Sequence, residues 1–153
     1  MCVKAFSRNR RQCHCIHTSA VFHPRACLRW LAAATVLAVS AGLFVGGALP
    51  VAVGLFTPPW DLLAHASVFT VIGVTSGVAS GARGWHLLMF CLVGAVAVGA
   101  MDELHQLRLP GRSADLNDLA ADAVGGLLGS FLLGSAYRWV DGKPWADRWR
   151  PAR

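Results

Sequence analysis

Most of the residues in this chain that could do chemistry lie in one segment. The segment runs from Met101 to Gly126, reads MDELHQLRLPGRSADLNDLAADAVGG, and includes five of the eight carboxylates in the chain. It also contains histidine, glutamine and arginine side chains, and it lies between two long hydrophobic runs. Ionisable residues at the end of a membrane helix are costly and are rarely kept without a role. We therefore expect any functional site to include this segment.

The residue types in this segment suit two kinds of chemistry. Carboxylates beside a histidine can carry out general acid–base catalysis or hold a divalent cation. An arginine among them can bridge two carboxylates in bidentate fashion, or it can bind an anionic group of a ligand. Whether the protein is an enzyme and whether it uses a divalent cation both remain open at this point.

The elements that must position these residues are membrane spans. The chain has 153 residues, of which 55% are hydrophobic and 14% charged, and this is too apolar for an ordinary soluble domain. Hydrophobic runs with few ionisable residues cover roughly 30–50, 61–81, 85–106 and 116–139. Each is long enough to cross a hydrocarbon core of about 30 Å as a helix. We predict an all-α polytopic membrane protein, built as a bundle of four transmembrane helices.

The basic residues predict the orientation of the bundle. The formal net charge is +6, and the Lys and Arg residues lie mainly before the first run and after the last, with Arg83 between the second and third. The positive-inside rule then places both termini in the cytoplasm, an N-in/C-in topology. This distribution argues against a nucleic-acid partner. It predicts a cytoplasmic leader over 1–29, a membrane domain over 30–140 and a basic cytoplasmic tail over 141–153.

The leader is expected to be disordered, but it has other interpretations. Four cysteines and three histidines form a Cys/His-rich run that fits no zinc spacing well: Cys2, Cys13, His14, Cys15, His17, His23 and Cys27. The leader could instead belong to a cleaved signal peptide, or reflect a start codon assigned too far upstream.

With this topology, polar residues from three helices meet at the outer end of the bundle. Residues four apart share a helical face, so each helix can direct its polar set inward. The predicted site comprises Asp61, His65, Glu103, Gln106, Arg112, Asp118 and Asp122, with Asp102 and His105 as secondary candidates. His65 is either an interior histidine or a base or metal ligand oriented by Asp61.

Pro110–Gly111 predicts a turn in the connection between the third and fourth runs. Some of the candidate site residues also have structural interpretations. Asp115 or Asn117 is expected to cap the fourth helix, and Asp118 is either a partner of its dipole or part of the site. Asp102 and Glu103 are adjacent and are not expected to face inward equally. We therefore assign Glu103 to the site and Asp102 to the membrane–water interface.

Small residues continue the polar faces along the helices, and in the third helix these are Ala95 and Gly99. Gly125 and Gly129 follow Asp118 and Asp122 on one stripe of the fourth helix, and this spacing permits close helix approach. The pairs Gly73–Gly77 and Gly42–Gly46 repeat the spacing in the second and first helices. We expect these glycines to form packing faces, within the protein or in a homo-oligomer.

The order of the polar motifs resembles that of the VanZ-like family, small bacterial membrane proteins named for a member linked to teicoplanin resistance. The motifs are Asp61-x-x-x-His65, Asp102-Glu103-x-x-Gln106, Pro110-Gly111-Arg112 and Asp118-x-x-x-Asp122-x-x-Gly125. Two positions depart from the family pattern: Leu62 stands where members often carry Lys, and Asp122 where many carry Asn. The resemblance implies a multi-pass protein of the bacterial cytoplasmic membrane that affects susceptibility to teicoplanin-type glycopeptides.

Three functions are compatible with these features. The first is a binding or enzymatic site for a lipid-linked or anionic envelope component. The second is proton-coupled transport, although no ionisable residue reaches the middle of the first, third or fourth run. The third is a structural role, in which the cluster locks the helices together and the glycine faces promote oligomers.

Overall fold

The computed structural model describes residues 24–52, 54–55, 57 and 59–141. Its elements are α1 (Pro24–Gly47), a short 3-10 turn (Pro50–Ala52), α2 (Trp60–Ser80), α3 (Trp85–Gln106) and α4 (Leu116–Asp141). This described part contains no strand, and all four α-helices are long and apolar enough to cross a membrane. The prediction of an all-α, four-span protein is therefore confirmed. The predicted tail after Asp141 and the predicted leader before Pro24 lie outside the described residues, and so does the Cys/His run apart from Cys27, which is a half-buried free cysteine in α1.

The first helix is longer than the hydrophobic run predicted. It begins at Pro24 rather than near residue 30, and so takes in the last part of the predicted leader. Proline is well suited to the first turn of a helix, where its missing N–H has no partner to lose. A hydrophobic run shows which residues can contact lipid, but a helix can continue beyond that run. Here α1 includes the charged residues Arg25 and Arg29 before the hydrophobic run begins.

The helices run alternately up and down, which gives the bundle two chemically different ends. We call the end where α1 and α3 finish and α2 and α4 begin the polar end, because Asp61, His65, Asp102, Glu103, Gln106, Asp118 and Asp122 lie there. We call the opposite end the basic end, because Arg29, Arg83 and Arg138 lie there. The arginine Arg83 holds the α2–α3 turn to α4 with its guanidinium carbon 3.3 Å from the centre of the Tyr137 ring.

Glycines bring α2 and α4 into backbone contact, and this is the most extensive contact between helices in the bundle. A Cβ atom at Gly125 would lie 2.6 Å from the carbonyl oxygen of Ala66, and one at Gly129 would lie 2.9 Å from that of Thr70. Gly73 also faces Gly126 across this interface. Only glycine allows such close approach, so the packing role predicted for the α4 stripe is confirmed.

Two small groups of buried side chains fill the space between α2, α3 and α4. Phe69, Ile72 and Ala95 form one group, and Leu87, Cys91 and Leu133 form the other. Both groups lie beyond the polar cluster, toward the basic end. They are compact because the small residues of α3 and α4 leave little volume to fill.

The first helix lies at the periphery. Ala32 is its only buried residue, and nothing comes within 4 Å of a Cβ built at Gly42 or Gly46. The expectation that this glycine pair forms a packing face within the protein is therefore wrong, because small residues permit a close approach but do not supply a partner. Instead α1 packs Val39 and Leu43 against the Phe69 group and makes polar and aromatic contacts nearer its ends. Arg29 donates to the carbonyls of Ala79 and Ser80 at 2.9 and 3.0 Å, and Phe44 contacts His105 edge-on.

Candidate functional site

A tight turn connects α3 to α4 and brings the two acidic segments together. Arg112 donates its backbone N–H to the carbonyl of Leu109 at 3.2 Å, with Pro110 and Gly111 in the central positions. The φ of Gly111 is 78°, as a type II turn requires at its third residue. The Pro-Gly pair thus forms the turn that it predicted.

Asp115 caps the start of α4 and anchors this connection to α3. Its Oδ1 accepts the backbone N–H of Asn117 at 2.8 Å, which confirms the capping role expected for it. Its own backbone N–H donates to Oε2 of Glu103 at 2.7 Å. One carboxylate of α3 therefore ties the connection down, a contact that sequence patterns did not indicate.

The central contact of the polar end joins α2 to α4. His65 Nδ1 lies 2.9 Å from Oδ1 of Asp122, and His65 Nε2 lies 3.8 Å from Oδ2 of Asp118. The two aspartates are four residues apart on one face of α4, so the imidazole meets both of them. The histidine ring also stacks on Phe69, with ring centres 5.9 Å apart. Asp122, rather than Asp61, is the carboxylate that orients His65.

A glycine makes room for the Asp122 carboxylate. Asp122 is 0% exposed, and a Cβ atom at Gly99 of α3 would overlap its Oδ2. One carboxylate oxygen therefore faces α2 and the other faces α3. Gly99 was recognisable from the sequence only as part of a small-residue stripe, because its contact with Asp122 depends on how α3 and α4 cross.

The prediction that the Asp102 side chain lies outside the site, at the membrane–water interface, is wrong. Asp102 and Glu103 are both buried, at 5% and 7% exposure, as is Gln106. Gln106 Nε2 donates to Oδ2 of Asp102 at 3.1 Å within α3. Adjacent helix positions point about 100° apart, but α3 contacts α1, α2 and α4, so neighbours can cover both directions.

Of the two roles considered for Arg112, the bridge between carboxylates does not form. In the described part of the chain, the ion pairs within 4.0 Å at this end involve only His65. The Nε atom of Arg112 is buried and has no hydrogen-bond partner there. Of the two oxygens of Glu103, one accepts the Asp115 backbone N–H and the other has no described partner.

The remaining candidates lie at the edge of this cluster. Asp61 is half-buried, and its Oδ1 accepts the backbone N–H of Leu62 at 2.8 Å, a contact within the first turn of α2. His105 contacts Phe44 with ring centres 5.4 Å apart, and its Nδ1 has no described partner.

The cluster combines several carboxylates with few cations. Five carboxylates interact electrostatically with His65 or with one another: Asp61, Asp102, Glu103, Asp118 and Asp122. The charge of Arg112 also acts on Asp118. Four buried polar atoms at the polar end have no partner among the residues that the structure describes: Glu103 Oε1, His105 Nδ1, Arg112 Nε and Asp122 Oδ2. Buried polar groups normally find a partner, so these atoms mark where an additional group could bind. Among the described residues, no three His, Cys, Asp or Glu side chains converge in a way that could hold a metal ion.

The fold and this cluster define a small multi-pass membrane protein with a group of ionisable side chains buried at one end of its helical bundle. Residues 35–137 match the VanZ/LLP1 family. This match covers more than half of the chain and includes every candidate site residue, so the protein belongs to the VanZ/LLP1 family. Comparison with curated proteins and with solved structures gives no match.

Proposed function

We propose that this protein resides in the bacterial cytoplasmic membrane with its polar end at the outer face, where the cluster binds a charged component of the cell envelope. By binding that component it would modulate susceptibility to teicoplanin-type glycopeptides. The observation that carries the proposal is the His65–Asp122 pair, in which a half-buried imidazole of α2 meets a fully buried carboxylate of α4 near polar atoms that have no described partner.

The energetic argument is that this cluster is an expensive way to hold helices together. Buried ion pairs can often be replaced by apolar residues of similar volume without loss of stability. The close contact between α2 and α4 is already provided by Gly125 and Gly129, which lie deeper along the same stripe. A purely structural role therefore does not require the carboxylates.

His65 has the geometry of a group that could accept and release a proton. Asp122 fixes the ring through Nδ1, while Nε2 lies on the half-buried side near Asp118. A carboxylate that orients one ring nitrogen leaves the other free to act on a ligand. This arrangement supports acid–base chemistry as well as binding.

Arg112 would contact the anionic part of the ligand. Its guanidinium forms no ion pair with a described carboxylate, and Arg112 lies on the α3–α4 connection at the polar end. Guanidinium groups bind phosphate and carboxylate through two parallel hydrogen bonds. A lipid-linked or otherwise anionic envelope component would satisfy this side chain.

The experiment compares three variants with the wild type in a host that lacks the endogenous protein: Glu103→Gln, Asp122→Asn and Arg112→Gln. Each is measured for folded yield in detergent and for the teicoplanin susceptibility of the host. We expect normal folding and loss of the effect on susceptibility for Arg112→Gln. The matched control Arg108→Gln removes the same charge from an exposed residue of the same connection and should leave both readouts unchanged.

Two results would contradict the proposal. If every variant loses folding and effect together, the cluster has a structural role instead. If wild-type protein leaves teicoplanin susceptibility unchanged while a lipid-binding readout responds to Arg112→Gln, the antibiotic part of the proposal fails and the binding part stands.

A further inference from the structure

Both an acidic and a basic buried atom lack a partner at the polar end. Glu103 is 7% exposed, and its Oε1 accepts no hydrogen bond although its Oε2 is bonded. Arg112 Nε is also buried without a partner. An arginine and a carboxylate in the same region would normally pair with each other, and their failure to do so leaves two opposite charges to be satisfied.

Glu103 Oε1 is therefore an unused acceptor. Because Oε2 already accepts the Asp115 N–H, a ligand that donates a hydrogen bond to Oε1 would complete the partners of this carboxylate.

Asp118 adds a second acceptor on the accessible side. Its side chain is 18% exposed, it is one turn beyond Asp115 on α4, and Glu103 senses its charge. A primary ammonium group has three N–H donors and a positive charge, so it can contact both carboxylates at once. A metal ion fits less well, since the described side chains do not converge as metal ligands.

An anion alone would satisfy Arg112 and leave Glu103 unpaired, whereas a cation alone would do the reverse. Building on the function proposed above, we infer that the polar end binds a zwitterion carrying a phosphate and a primary ammonium, as in phosphoethanolamine. The phosphate contacts Arg112, and the ammonium contacts Glu103 and Asp118. The source is either the headgroup of an amine-bearing phospholipid or a free phosphoethanolamine.

The test measures binding of defined lipids to the full-length protein purified in detergent. The lipids are short-chain phosphatidylethanolamine, phosphatidylcholine and phosphatidylglycerol, titrated singly and followed by native mass spectrometry. Phosphatidylcholine has methyl groups in place of the N–H donors, and phosphatidylglycerol lacks the cation. We expect phosphatidylethanolamine to bind about tenfold more tightly than either, the value of one charge-assisted hydrogen bond. Equal binding of all three lipids would overturn the inference.

Variants test which residue contacts the ammonium and which contacts the phosphate of the ligand. Glu103→Gln keeps the side-chain shape and should abolish the preference for phosphatidylethanolamine while leaving phosphatidylglycerol binding unchanged. Arg112→Gln should weaken binding of both lipids, and Arg108→Gln should weaken neither. If Glu103→Gln does not fold, Asp118→Asn makes the same test at a more exposed carboxylate. Equal loss in Arg112→Gln and Arg108→Gln would show non-specific attraction and overturn the inference.

The source of the zwitterion is separated by titrating soluble O-phosphoethanolamine. Binding of the soluble compound as well as the lipid shows recognition of the headgroup itself, and binding of the lipid alone shows that its acyl chains contribute. If neither binds, the inference is wrong. These readouts do not involve teicoplanin, so the two proposals can fail separately. The protein could fail to bind phosphoethanolamine while Arg112 still controls teicoplanin susceptibility, or it could bind phosphoethanolamine without affecting that susceptibility.

Discussion

Asp122 shows how much depends on a single side chain at the polar end. It lies beyond the first turn of α4, so helix capping cannot account for it, and it is fully buried against both α2 and α3. Its Oδ1 holds His65, while its Oδ2 occupies the space left by the missing side chain of Gly99. The pattern of the VanZ-like family often has Asn at this position, and an amide could also accept the contact with His65.

Replacing Asp122 tests this arrangement directly. Asp122→Ala removes the partner of His65 Nδ1 and leaves a buried donor unsatisfied, which costs about 1–3 kcal/mol. Asp122→Asn keeps an acceptor and should cost less. The free energy of unfolding in detergent would measure both. Asp61→Asn is a suitable control, because the hydrogen bond described for the Asp61 side chain is to the first turn of its own helix. A larger loss in Asp61→Asn than in Asp122→Ala would contradict the assignment.

Gly99 should be coupled to Asp122 in stability. Gly99→Ala places a methyl group on the Asp122 carboxylate and should destabilise the protein by about 1–3 kcal/mol, as overpacking does. In an Asp122→Ala background the same substitution should cost much less, since the overlapping atoms are gone. A double-mutant cycle of unfolding free energies measures this coupling. Additive losses would mean that Gly99 and Asp122 do not interact.

At the scale of the helices, α1 differs from the other three. α2, α3 and α4 share glycine contacts and buried side chains, whereas α1 packs only the half-buried Val39 and Leu43 against this core and is also held by Arg29 and Phe44. The Arg29 guanidinium covers carbonyls at the C-terminus of α2, where the helix dipole favours a cation. The three-helix unit therefore positions the polar cluster, and α1 closes one side of it.

Gly125 packs against α2 and Gly46 does not pack against another helix, so replacement by alanine should affect stability differently at the two positions. Gly125→Ala forces backbone atoms of α2 and α4 apart, because the added Cβ would lie 2.6 Å from a carbonyl oxygen. It should cost about 1–3 kcal/mol of unfolding free energy. Gly46→Ala in α1 meets nothing within 4 Å and should be neutral or stabilise the helix by about 0.5–1 kcal/mol. Thermal unfolding in detergent measures both. A costly Gly46→Ala would instead indicate an intermolecular contact on that face.

The whole molecule is a bundle with chemically opposite ends, and the positive-inside rule turns this asymmetry into a predicted orientation. Arg29, Arg83 and Arg138 all lie at the basic end, which we expect to face the cytoplasm. In a cysteine-free background, Ser113→Cys on the α3–α4 connection should react with a membrane-impermeant maleimide in intact spheroplasts. His86→Cys, exposed near the α2–α3 turn, should react only after permeabilisation. The opposite labelling pattern would reverse the proposed topology and place the site in the cytoplasm.

Local features of the sequence were sufficient for the parts of this protein that depend on neighbours along the chain. Uncharged runs long enough to span a bilayer predicted four helices, because no other structure satisfies the backbone of an apolar segment in lipid. Pro110–Gly111 predicted a turn and Asp115 a cap, because each acts on residues within a few positions of itself. The antiparallel order then brought the acidic segments of α2, α3 and α4 to one end.

Only the tertiary structure decided which side chains meet. His65 pairs with Asp122 rather than Asp61, and Glu103 binds a backbone N–H rather than Arg112. Asp102 is buried beside Glu103, and α1 leaves its glycine pair without a partner. These outcomes depend on helix rotation and crossing, which the missing side chains of Gly99, Gly125 and Gly129 set through steric contact. A periodic pattern specifies which face of a helix is polar or small, but the distance between two helices is decided by the atoms that touch.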